Sequence, residues 1–295
     1  MSAFPRPAQD LLPQRPPMLL VEELTACREK GSEARTRTGD NVSLFINPQG
    51  RVEPETLIEM LAQTSALDTG WRAENKAESP KKGLLAGMDH LAFTDASGQL
   101  DTGRTLSIDG EKTFELGDVT MFAGHVKHNE TKLLEGNLKV WENYTLPEME
   151  SGEDTELSGE AFTLDKQASK AYSELLHCTY PLMIEKGQKL QAEGWLPESF
   201  CAFQGHFPAF PVLPAVVMVL WARVLAERRT GTSLRISKLK RAKFGNLAGP
   251  EMRLALELEC TKIADSEIAG VLVISRGNAR VARIDLKWKS EKGNA

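Results

Sequence analysis

His206 opens a segment in which Pro208, Pro211 and Pro214 recur at every third position. Each proline fixes its own φ and removes a backbone donor, so the loop is stiff and the imidazole at its start points in a defined direction. Pro214 suits the first turn of a helix, where a missing N–H costs nothing. The next N–H, on Ala215, then lies at the positive end of that helix without an intrahelical partner. A stiffly held histidine beside such an end can take a proton next to a carbonyl, while the helix end stabilises the oxygen that becomes negative. A single histidine is more often a hydrogen-bonded structural residue; the design of the loop argues for chemistry.

A second candidate lies about 150 residues earlier. Glu55, Glu59 and Gln63 follow one another at i, i+4 and i+8, which puts them on one helix face. Such a stripe also suits a solvated surface.

The run from Gly205 to Pro214, with Gly205-His206-Phe207-Pro208 followed by prolines at every third residue, resembles the active-site loop of the FabZ/FabA family of 3-hydroxyacyl-carrier-protein dehydratases. Ala215 stands where that pattern has glycine, and it keeps the backbone N–H. The resemblance implies a hotdog fold, with a carboxylic acid on the central helix six residues after the last proline. That position is Leu220, which cannot donate a proton. Leu57-Ile58-Glu59-Met60-Leu61-Ala62-Gln63 resembles the family's helix sequence, with Glu59 as the acid, yet the loop before it has no histidine. The two halves are complementary defectives. Paired, partly degenerate dehydratase subunits of this kind are known in aryl polyene assembly, and Leu11 to Leu20 resembles the N-terminus of those proteins.

The resemblance implies one composite site. Neutral His206 takes the C2 proton of a 3-hydroxyacyl thioester, and Ala215 N–H polarises the thioester oxygen. Glu59 gives a proton to the leaving hydroxyl, a task that requires burial to raise its pKa. Gln63, Gly205 and Pro214 orient these groups. No metal or other cofactor is needed. An acyl carrier protein is the implied partner. Because carrier proteins are acidic, Arg235, Lys238, Lys240, Arg241 and Lys243 form the candidate docking patch.

These residues need two similar scaffolds. The chain has 295 residues, enough for two domains. Its clearest compositional break is the acidic stretch from Leu146 to Lys170, with Glu148, Glu150, Glu153, Asp154, Glu156 and Glu160 among serines and glycines, which reads as a flexible linker. The division is residues 1–145, a linker at 146–172, and residues 173–292. In the first part an extended Met18 to Val21 leads to a loop at Asn47 to Pro54 and a helix from Glu55 to Ala73. Strands follow at Gly83–Phe93, Thr105–Thr113, Asp118–Asn129 and Lys132–Tyr144. In the second part a strand at Lys189–Trp195 precedes the proline loop and a helix to about Arg229. Strands then fall near Leu234–Phe244, Arg253–Thr261, Ile268–Ser275 and Arg280–Lys289. The helix after Pro214 is apolar on nearly every side and must be covered all round. The expected fold is α+β: two hotdog domains, each an antiparallel sheet wrapped around a central helix and paired as an intramolecular pseudo-dimer that is open to further association.

Composition limits the alternatives. A net charge of −5 gives no argument for nucleic acid. Cys27, Cys178, Cys201 and Cys260 form no CxxC pair and read as reduced thiols of a cytoplasmic protein. The start of the chain lacks the apolar core of a signal peptide. Val212 to Ala222 is too short to insert in a membrane. His125 and His128, three apart in a strand, fall on opposite faces and do not suggest a metal pair. His90 and His177 have no recognisable partners. Two other readings stay open: a hotdog thioesterase, and a non-catalytic subunit that binds acyl chains or a carrier protein.

Overall fold

In the computed structural model the described residues are 4–76, 83–142, 157, 160–163, 165–184 and 189–291. The first half contributes β1 (Arg6–Pro7), β2 (Glu23–Cys27), β3 (Gly31–Arg37), α1 (Thr56–Asn75), β4 (Leu84–Phe93), β5 (Thr105–Leu116), β6 (Val119–His128) and β7 (Thr131–Trp141). The second contributes α2 (Lys170–His177), β8 (Thr179–Ile184), β9 (Lys189–Trp195), α3 (Ala215–Thr230), β10 (Leu234–Phe244), β11 (Arg253–Ala264), β12 (Glu267–Arg276) and β13 (Ala279–Ser290).

All thirteen strands join one antiparallel sheet in the order β1-β2-β3-β5-β6-β7-β4-β10-β13-β12-β11-β9-β8. Read outward from the seam between β4 and β10, the halves repeat each other: 4-7-6-5-3-2 on one side, 10-13-12-11-9-8 on the other. The seam pairs Leu239 with Leu91, Arg241 with Asp89 and Lys243 with Gly87.

Period-two patterning decides which face each strand buries. Along β11, Leu254, Leu256, Leu258 and Cys260 are buried, while Arg253, Glu257 and Glu259 are exposed. The curved inner face closes on the helices. Every residue of α3 from Val216 to Ala226 is buried, as its all-round apolar sequence demands. Pro214 occupies the N-cap, with Ala215 as the first helical residue, and Gly231 ends the helix in a left-handed conformation at φ 65°. Within the described residues no helix is long and apolar enough to cross a membrane.

Several elements depart from the sequence expectation. Met18 to Val21 is not a strand, although Met18, Leu20 and Val21 are buried. The β2–β3 hairpin and β8 were not anticipated, since strands of five to seven residues are too short to give a clear periodic signal. Much of the acidic stretch (146–156, 158–159 and 164) lies outside the described residues. Its end is ordered, because Ser169 caps α2, accepting from Tyr172 N–H, so Lys170 to Tyr172 are helical where a linker was expected.

Candidate active site

His206 is held between the two halves. Gly205, before it, adopts φ 80°, and a Cβ there would sit 2.1 Å from Arg15 O. Only glycine allows this approach. Gly205 O in turn accepts from Arg15 N–H at 2.7 Å. The second-half loop is thereby fastened to the N-terminal segment of the first half.

The imidazole Nδ1 lies 2.9 Å from Val212 O. A carbonyl only accepts, so Nδ1 carries the hydrogen and Nε2 keeps its lone pair. The proline-spaced loop folds back on itself through this bond. His206 is buried, and burial pushes its pKa below the ordinary imidazole value of 6.5; the charge of Glu59 and the bond to Val212 O pull it back up. Glu59, from the other half, is thus near enough for its charge to act on His206.

Glu59 and Gln63 are buried, as is Glu55, so the i, i+4, i+8 stripe is not a solvated face. Gln63 donates through Nε2 to Glu59 Oε1 at 2.9 Å and to Met18 O at 2.7 Å. Its Oε1 accepts from Leu20 N–H at 2.9 Å and Val21 N–H at 3.2 Å. This accounts for Met18 to Val21: the extended segment satisfies its backbone on a glutamine side chain instead of a neighbouring strand.

Pro214 starts α3. The Val217 and Met218 N–H groups turn back to Pro214 O at 3.1 and 3.2 Å, and Ala215 N–H stands ahead of them at the positive helix end. Leu220 is fully buried in the core. In one half the loop of Gly205, His206 and Pro214 leads into Ala215 at the start of α3; from the other half Glu59, held by Gln63, acts on His206 through its charge. Sequence reasoning missed Val212 O, because a backbone acceptor leaves no trace in residue type. It also missed the Arg15 contact, for which the glycine at 205 was the available signal.

The five basic residues of β10 do not behave alike. Arg235 is paired with Asp95 at 2.9 Å and lies near Glu291 at 3.9 Å. Arg241 reaches Asp89 at 3.3 Å across the seam. Lys238, Lys240 and Arg241 line a surface cleft of about 330 Å³ with His90 and Asp285. Arg241 and Lys243, with Lys139 and Arg280, line a neighbouring one of about 380 Å³. The clefts share Arg241 and follow the seam on the outside of the sheet.

Two family models match the chain: that of ApeP-like proteins, described as ApeP dehydratase, over residues 6–150, and that of ApeI-like proteins, described as ApeI dehydratase, over residues 183–271. Among solved structures, the dehydratase heterocomplex ApeI:P from Xenorhabdus doucetiae matches at 23% identity, covering 46% of this chain and 91% of that one, with a TM-score of 0.41. The dehydratase domain of PpsC from Mycobacterium tuberculosis, in complex with C12:1-CoA, is 10% identical, covers 93% of this chain and 99% of that one, and has a TM-score of 0.54. The acyl-CoA thioesterase II TesB2 from Mycobacterium marinum is 10% identical over 94% and 98%, with a TM-score of 0.50. The last two likenesses concern the fold alone, which is the double hotdog. No match is found among curated proteins.

Proposed function

Because the chain is a fused tandem of aryl polyene dehydratase-type hotdog domains, ApeP-like and then ApeI-like, we propose that it is a hydro-lyase acting on a 3-hydroxyacyl thioester at one composite site. The observation that carries this reading is a base from one half, His206 with Nδ1 bound to Val212 O, under the charge of Glu59 from the other.

Nε2 of His206 removes the C2 proton, and its lowered pKa keeps the imidazole neutral at pH 7. Ala215 N–H and the α3 terminus stabilise the negative charge that develops on the thioester oxygen. The electron pair left at C2 forms the C2–C3 double bond, and the C3 hydroxyl leaves with a proton from the protonated form of Glu59, from the oxygen that Gln63 does not hold; the carboxylate left behind is the form whose charge raises the His206 pKa. The products are the trans-2-enoyl thioester and water. Return of the proton from His206 to Glu59 resets the site, and the reverse sequence hydrates.

An acyl carrier protein is the proposed donor of the substrate, docking on the basic edge of β10. Lys238, Lys240 and Lys243 are exposed there, and Arg241 borders both clefts. Arg235 is committed to Asp95 and contributes less.

The test is a hydration–dehydration assay with 3-hydroxyacyl and trans-2-enoyl thioesters on wild type, His206→Ala and Glu59→Gln. Loss of turnover in both variants is expected. Equal activity in all three would sink the composite site. Release of free acid without enoyl product would mark a thioesterase, and saturable carrier binding without turnover a binding subunit.

A further inference from the structure

The end of the first-half loop, which has no histidine, meets α3 at Arg223. Arg223 lies three residues past Leu220, a buried cation on a helix that is otherwise buried and apolar from Val216 to Ala226. Its Nε donates to Glu55 Oε1 at 2.7 Å, Nη2 reaches Glu55 Oε2 at 3.3 Å, and Nη2 also pairs with Glu53. Glu53 and Glu55 belong to the first half, at the end of the loop and at the N-cap of α1. On its own side Arg223 is steadied by Glu227 at 3.5 Å and by the Tyr172 ring, 5.5 Å from its guanidinium carbon. Glu227 in turn accepts from Tyr172 Oη and, at 2.7 Å, from Leu234 N–H.

A buried ion pair adds little net stability, since desolvation offsets the attraction. What a guanidinium adds is direction, because its planar donors fit a carboxylate in one orientation. Glu55 makes no side-chain cap of α1; its fully buried carboxylate goes to Arg223 instead. Glu59 lies four residues on, about 6 Å along the same helix.

We propose that Arg223 is a positioning residue for the composite site: by clamping Glu53 and Glu55 it fixes the first turn of α1 against α3, and so sets the Glu59 carboxyl relative to His206 and Ala215 N–H. This rests on the catalytic reading above, but its geometric content can be tested without turnover.

The decisive variant is the triple substitution Arg223→Met, Glu53→Gln and Glu55→Gln, which removes the charges and keeps the volumes. A displacement of about 1 Å at a reacting group can cost roughly 100-fold in rate, so kcat falls roughly 10- to 100-fold with KM within about twofold, while cooperative unfolding is retained. Separately, the His206 imidazole is titrated by NMR with and without Glu59→Gln. The shift caused by Glu59→Gln shrinks in the triple background if the clamp sets their separation. Wild-type kcat together with an unchanged shift would overturn the proposal. If wild type turns over no 3-hydroxyacyl thioester, the catalytic reading fails and the NMR coupling still decides this one. Should the triple variant not fold, Arg223→Lys replaces it: charge without the planar fork lowers kcat and weakens the coupling, and full retention of both counts against the clamp.

Discussion

Replacing Gln63 with leucine separates the site's architecture from its chemistry. The amide of Gln63 meets Met18 O, Leu20 N–H, Val21 N–H and Glu59 Oε1, and all of these residues are buried. Leucine fills the space and satisfies none of them. Each buried backbone group left without a partner costs about 1–3 kcal/mol, so the three backbone groups together cost about 3 kcal/mol even at the low end. At about 2.1 cal/mol/K of unfolding entropy per residue, a chain of this size loses roughly 5 °C of Tm for that amount. The Glu59 carboxyl also loses the donor that orients it, and kcat falls roughly 10-fold or more. Scanning calorimetry and a dehydration assay on the same preparation read both effects. Gln49→Leu is the control: its bond to Gln167 is exposed, and a change within about 0.5 kcal/mol is expected. If Gln63→Leu melts with wild type and keeps its kcat, the segment Met18 to Val21 is not held as described.

Other consequences can be measured directly. The His206 pKa lies below 6.5, so kcat/KM of the wild type falls on the acid side only below that pH; Glu59→Gln, which is expected to lose turnover, removes the charge that raises it, and NMR titration of the imidazole follows the move to still lower pH. The same shift has a stability sign. Below pH 6.5 the unfolded imidazole binds a proton that the folded one resists, so stability drops as pH falls through that window, and urea titrations of His206→Gln show a shallower acid loss. Gly205→Ala places a Cβ 2.1 Å from Arg15 O at φ 80°; it costs at least about 1–2 kcal/mol for the left-handed backbone alone, and displacement of the loop lowers kcat, which parallel melting and rate measurements detect. Lys240→Glu with Lys243→Glu raises KM for a carrier-bound substrate and leaves a short synthetic thioester unaffected; equal effects on both would argue against docking there.

Much of the proposed composite site rests on residue type and spacing. The proline rhythm after His206 requires a stiff loop because each ring fixes a backbone angle, wherever the loop sits. The run after Pro214, apolar apart from Arg223, requires burial on nearly all sides, and α3 is buried from Val216 to Ala226. Leu220 and Glu59 announced that each half lacks what the other holds. Long strands such as β10 to β13 were readable for the same reason, since alternation over ten or more residues leaves one reading.

Tertiary structure decided what single residues could not. Glu55, Glu59 and Gln63 share a helix face in any case; whether that face meets water or core depends on what packs against it, and here it is buried. Met18 to Val21 is apolar in either setting, but only the folded chain offers its backbone Gln63 in place of a strand. The tautomer of His206 is set by Val212 O, a backbone atom that every residue type carries. Arg223 shows the limit most clearly. In sequence it is the one charge between Val216 and Ala226, and its partners Glu53 and Glu55 lie 170 and 168 positions away. Local periodicity is a property of a segment, whereas the meeting of two halves is a property of the packed molecule.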